Sequence, residues 1–122
     1  YQGAEDAGGM GWAIVDWEQM PPRLKGEYVY DQGVQARELA GQLAILDDAG
    51  VDGAFVFTFV DPGPEITDDL AQMLRQITFD PDIASYSLVK SYADGRHGTT
   101  YPDMPWEPKE SFKAVDDYYA AH

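Results

Sequence analysis

Gly53-Ala54-Phe55-Val56-Phe57-Thr58-Phe59-Val60 is the stretch on which the reading of the fold turns. In extended backbone, side chains alternate between faces. Phe55, Phe57 and Phe59 therefore share one side, and Ala54, Val56, Thr58 and Val60 the other. Both sides are largely apolar. An antiparallel edge strand would carry one polar face, so this segment is expected to be a strand covered on both faces. On that expectation Phe57→Asp would unfold the chain, because it buries an unpaired charge.

Upstream, the pattern predicts a helix from about Asp31 to Ala49. Asp31 suits the N-cap, where its carboxylate can accept from free first-turn amides. Ala36, Leu39, Ala40, Leu43 and Leu46 recur at three and four residues as one apolar stripe. Gly50 ends the helix, because glycine adopts a left-handed C-terminal cap at little cost. Helix, tight connection and doubly covered strand together form the αβ half of a parallel-sheet repeat. The fold class is therefore expected to be α/β.

Outside this unit the reading is coarser. Tyr1 to Gly11 holds four glycines and reads as an irregular loop, and Trp12 to Trp17 reads as a short strand ended by Pro21-Pro22. After Asp61-Pro62-Gly63-Pro64 breaks the central strand, a short amphipathic helix is expected. Thr67 would cap it, and Leu70, Met73, Leu74 and Ile77 would face inward. Asp80-Pro81 restarts the chain with one turn, Tyr86 to Tyr92 reads as extended, and Asp94-Gly95 as a turn. Pro108 to about Ala120 forms the last helix, with Phe112, Val115 and Tyr119 inward and Tyr118 beside them. No repeat or linker divides the 122 residues, which are read as a single segment.

Composition narrows the partners. Acidic residues outnumber basic ones 22 to 8, for a formal charge of -14. Binding nucleic acid or an anionic membrane surface requires clustered Lys and Arg, so neither is an expected partner. With no cysteine there is no disulfide framework, thiolate metal site or cysteine nucleophile. No apolar run reaches the length of a spanning helix and no signal peptide opens the chain, so the expected location is cytoplasmic. The start at Tyr1 rather than Met fits a trimmed or processed piece of something longer.

Candidates for chemistry are few. His97 and His122 do not pair at metal-ligand spacing, and His97 lies in the loop Asp94-Gly95-Arg96-His97-Gly98, where exposure is expected. Neither a nucleophile elbow nor a phosphate loop is present. No metal or other cofactor is expected. Trp12 and Trp17 can be read as a sugar-stacking or peptide-binding surface, or as anchors of a long loop. Asp61 closes the central strand at its carboxyl end, where ligands of parallel-sheet folds collect, yet Asp before Pro-Gly-Pro is also an ordinary turn opener. Asp61, Glu65, Asp68 and Asp69 lack the spacing of an EF-hand and read as a solvated acidic face.

The order of helix 31–49, strand 53–60, Asp82-Ile83-Ala84-Ser85-Tyr86-Ser87-Leu88-Val89-Lys90, Asp94-Gly95 and Pro108-Lys109-Glu110-Ser111-Phe112-Lys113-Ala114-Val115 resembles the end of a (β/α)8 glycoside hydrolase of the cellulase-like superfamily. More narrowly, Gly53 to Phe59 and Tyr101 to Lys109 resemble a group of actinobacterial barrel proteins of unassigned function. The resemblance implies the C-terminal segment of a TIM-type barrel: its last αβ unit, rim loops and terminal helix. It places the acid/base and the nucleophile on strands outside this chain, so no catalytic residue is carried over and the isolated chain is expected to lack glycosidase activity. The expected ligand is a carbohydrate, with Trp12, Trp17, Phe59 and Asp61 as candidate contacts. The other readings are an acidic, self-associating α/β interaction module and a small carbohydrate-binding domain using Trp12, Trp17 and Phe59 as platforms. Open strand edges would call for a protein partner, either a second copy or the remainder of a parent chain.

Overall fold

The computed structural model describes residues 11–61, 68–92 and 94–122. These form a mixed α/β arrangement of three helices and two small antiparallel sheets. A 3-10 turn at Gly11–Ile14 leads into β1 (Val15–Asp16), which pairs with β2 (Arg23–Leu24). Then come α1 (Gln32–Asp48), α2 (Asp68–Gln76), a 3-10 turn at Pro81–Ala84, β3 (Val89–Ser91), β4 (Trp106–Pro108) and α3 (Glu110–Ala121). No described helix is long and apolar enough to cross a membrane.

Local chemistry sets both ends of α1. The Asp31 carboxylate accepts from the amides of Gly33 (2.8 Å) and Val34 (3.3 Å), which would otherwise lack helical partners. At the other end Gly50 takes φ +70°, its amide donates to the Asp47 carbonyl, and the Val51 amide donates to Leu46. This reciprocal pair is a Schellman cap, with glycine at the left-handed position. The anticipated stripe is inward from Ala36 to Leu43 and gives way to solvent at Leu46. The Thr67 cap and the loop before Gly11 lie outside the described residues.

Two apolar clusters form the core. Ile14 and Val15 pack with Ile83 and Ala84, joined by Leu24, Tyr28 and Phe79. Leu43 of α1, Leu88 and Val115 of α3 form the second, joined by Leu39, Ala54, Val56, Phe112 and Tyr118. Tyr118 lies deeper than Tyr119, whose ring is half exposed while its hydroxyl donates to the Ala54 carbonyl. Trp12 to Trp17 divides into the 3-10 turn and the two-residue β1 instead of running as one strand. The proline-rich approach to α3 contains β4, which the spacing of Pro102, Pro105 and Pro108 does not announce. Its loop folds back tightly: the Gly98 amide donates to the Met104 carbonyl, and a side chain at Gly98 would run into the Trp106 carbonyl oxygen.

The 53–60 segment departs from expectation. Its Ala54 and Val56 side packs against α1 and α3, but Phe55 is 99% exposed and Phe57 79%. Instead of a ladder it has a few anchors: Leu88 and Val89 amides donate to the Thr58 and Phe59 carbonyls, and Val60 bridges Val89 in parallel. The physical reason is a missing layer. Both faces are apolar, and the described residues supply a covering for only one of them.

Truncation and charge insertion should therefore have unequal effects. Leu43→Ala should cost about 2–5 kcal/mol in urea denaturation, because it opens a cavity at the α1–α3 contact. Phe57→Asp, placed on the bare side, should cost about 1 kcal/mol or less in the monomer, contrary to the expectation from the sequence.

Candidate functional site

Asp80-Pro81 builds the turn that carries the central charge. The Asp80 side chain accepts from the Asp82 amide at 3.0 Å, and Pro81 supplies the fixed φ of a first helical position. Asp82 is thereby turned inward, where one carboxylate oxygen lies 3.2 Å from the Lys109 ammonium. Both side chains are almost wholly buried, at 2% exposure for Lys109 and 6% for Asp82. The Tyr30 hydroxyl donates to the other Asp82 oxygen at 2.5 Å, and Gln32 Nε2 donates to the Tyr30 oxygen at 2.8 Å.

Burial pushes the Lys109 ammonium below the ordinary lysine range, an effect opposed by the negative charges of Asp82 and, further off, Asp61. Tyr30 moves the other way. Burial first, then its bond to the Asp82 carboxylate, raise it above the ordinary tyrosine range, with the Gln32 donor acting against them.

A serine relay extends from the pair. Ser85 Oγ donates to the Asp61 carbonyl at 2.7 Å and lies 2.8 Å from Ser87 Oγ, which donates to the Val89 carbonyl at 2.7 Å. Gln35 of α1 donates to the carbonyls of Tyr86 and Ser87 and accepts from Ser111 of α3. Among the described residues no buried side-chain nitrogen or oxygen lacks a hydrogen-bond partner.

Beside this network lies a cavity of about 590 Å³ between α2 and the 80–96 stretch. Asp61, Asp80, Asp82 and Asp94 line it together with Arg75, Lys90 and Arg96. Lys90 pairs with Asp80 at 2.5 Å, and its ammonium stands 5.5 Å from the centre of the Tyr30 ring. Arg96 pairs with Asp94 at 2.7 Å and lies over the Tyr92 ring. The Arg96 amide and guanidinium hold the Asp94 carboxyl below its ordinary value, the reverse of what a general acid at neutral pH requires. Among the described residues no three His, Cys, Asp or Glu side chains converge as a metal-ligand set.

The candidate residues from the sequence fall in different places. Asp61 lines the cavity. Phe59 does not turn to it: its ring meets Trp106 edge-on at 5.2 Å and Phe112 at 6.1 Å. Trp17 directly follows β1 and is 42% exposed. Trp12 lies in the 3-10 turn, and its side chain is outside the described residues. His97 is exposed, as expected, with Nδ1 2.7 Å from the Pro102 carbonyl. Sequence reasoning missed Tyr30, Lys90 and the Asp82–Lys109 pair as site residues. The signal available for the pair was that Asp82 opens one phrase of the family resemblance and Lys109 belongs to another.

No protein family matches this chain, and neither do curated proteins or solved structures.

Lys109→Met should destabilise the fold by about 3–5 kcal/mol, because it leaves the buried Asp82 carboxylate without its cation. In a urea double-mutant cycle, Asp82→Asn combined with Lys109→Met should lose less than the sum of the single losses; strict additivity would show that the pair is not coupled.

Tyr30 gives a test in pH. Its proton is held more tightly in the folded chain, so above pH 10, the ordinary tyrosine value, the unfolded chain sheds it first and stability falls. Lys109, with its lowered value, acts in the opposite direction just below the ordinary lysine value. Tyr30→Phe isolates the first effect: wild type should melt above the variant at pH 9, and the gap should narrow by pH 11. A constant gap in scanning calorimetry would contradict the Tyr30–Asp82 assignment.

Proposed function

We propose that this chain is the C-terminal segment of a (β/α)8 glycoside-hydrolase-like barrel, contributing its last αβ unit, rim loops and terminal helix. Both catalytic carboxylates would come from other parts of that barrel, and this segment would shape the mouth. The observation that carries the reading is the two-sidedness of 54–57, beyond which the Phe59 ring turns to Trp106 and to Phe112 of α3. Ala54 and Val56 pack on helices α1 and α3, while Phe55 and Phe57 project from the opposite side into solvent. In a barrel, strand side chains alternate between the helix layer and the packed interior, so a strand separated from its neighbours would look like this one. Asp61, at the carboxyl end of the segment, then stands on the rim where barrel ligands bind, beside the cavity. The carboxylates there that pair with cations suit positioning better than glycoside chemistry, which needs one protonated and one free carboxyl group.

The bare phenylalanine side also favours a second reading, an acidic α/β module that pairs with a second copy through the same edge. Both readings require the 53–60 amides to be open in the isolated monomer. Hydrogen exchange should find Phe55 to Phe59 unprotected at low concentration, and the purified chain should bind a hydrophobic dye and hydrolyse no aryl glycoside. Slow exchange at these amides without dye binding in a 13.5 kDa monomer, or glycoside turnover, would overturn the barrel reading. A discrete dimer that protects these amides, is dissociated by Phe57→Asp and no longer binds dye would favour the second reading instead.

A further inference from the structure

The cavity between α2 and the 80–96 stretch has a charge pattern unlike the rest of the chain. Over the whole sequence, carboxylates outnumber cations 22 to 8. At the cavity they come closer to balance: Asp61, Asp80, Asp82 and Asp94 line it with Arg75, Lys90 and Arg96, and Asp80, Asp94 and Asp82 pair with Lys90, Arg96 and the adjoining Lys109 respectively. Arg75, in the last turn of α2, also lines the cavity, and it makes no ion pair with any described residue. A guanidinium in a strongly acidic protein, facing a cavity where three of the four lining carboxylates already hold a cation, is suited to an anion that arrives with a ligand. The volume of about 590 Å³ falls within the range of small-molecule sites.

We propose that this cavity takes a small anionic sugar, a uronate or a sugar phosphate. Arg75 would pair with its anionic group, and the aspartates of the wall would accept from its hydroxyls. An ionised carboxylate offers about four lone-pair sites, so Asp80 and Asp94 retain acceptor capacity after binding their cations. The sugar half of this assignment rests on the barrel reading, whereas the anionic half rests on Arg75 and the balanced wall.

Calorimetric titration of the 122-residue chain with glucuronate, glucose 6-phosphate and glucose tests it. At least one anionic sugar should bind about tenfold or more tightly than glucose, the scale of a hydrogen bond to a charged group. The preference should shrink with added salt. Arg75→Gln should abolish it at an unchanged melting temperature, and Arg75→Lys should keep part of it. Which of the two anionic sugars wins identifies the headgroup. Equal binding of glucose, no binding of any of the three at about 10 mM, or a preference that survives Arg75→Gln would overturn the assignment. A change in melting temperature without a change in preference would overturn it too, assigning Arg75 to the helix end alone. None of these failures touches the barrel reading, which is tested separately by hydrogen exchange along 53–60.

Discussion

The Asp82–Lys109 pair is the constraint around which the other elements are arranged. Two opposite charges, both nearly buried, must meet at hydrogen-bond distance or one stays desolvated without compensation. Meeting requires three pieces of chain to arrive together: the turn at Pro81–Ala84, the start of α3, and Tyr30 ahead of α1. Such a pair contributes little net stability, because desolvation offsets much of the attraction. Its effect here is on position. Apolar contacts between Leu43 and Val115 tolerate a small slide of one helix on another, whereas a fixed ion pair with a tyrosine on its second oxygen does not.

From that point the polar network and the apolar core divide the work. Gln35 reaches from α1 to the Tyr86 and Ser87 carbonyls and to Ser111, so it joins a helix, an extended segment and a second helix through one amide group. The extended segment is satisfied on that side and so can lie under the helices without a full ladder. The 53–60 stretch lies next to it and takes only the contacts that Leu88 and Val89 leave available. A buried phenylalanine contributes about 1.5–3 kcal/mol relative to an exposed one, so Phe55 and Phe57 hold unused driving force for a further layer.

Much of the local structure was legible in the sequence because it depends on neighbours a few residues apart. Asp31 and Gly50 bound α1 by cap chemistry, Asp80-Pro81 starts a turn, and the stripe through Val115 marks α3. What was not legible depends on partners far along the chain. Alternation of Phe55, Phe57 and Phe59 tells that two faces are apolar, but not whether the chain owns enough strands to cover both. β4 pairs with β3 through residues punctuated by proline, and no local signal separates that from a loop. Asp61 drew attention in the sequence from its place after an apolar alternating stretch, and it lines the cavity; Arg75 did not, since a basic residue at a helix end has a local explanation.

The charge distribution bears on where chemistry can occur. Glycoside hydrolysis needs two carboxyl groups with opposite protonation and room for a sugar between them. At this cavity Asp80, Asp82 and Asp94 each pair with a cation, and the Arg96 amide and guanidinium hold the Asp94 carboxyl below its ordinary value. Asp94 is therefore unsuited to be a proton donor. On the barrel reading this divides the labour: other strands would supply the reacting carboxyl groups, and this segment would supply a rim whose cations offset most of its carboxylates, which an otherwise acidic protein needs in order to hold an anionic ligand.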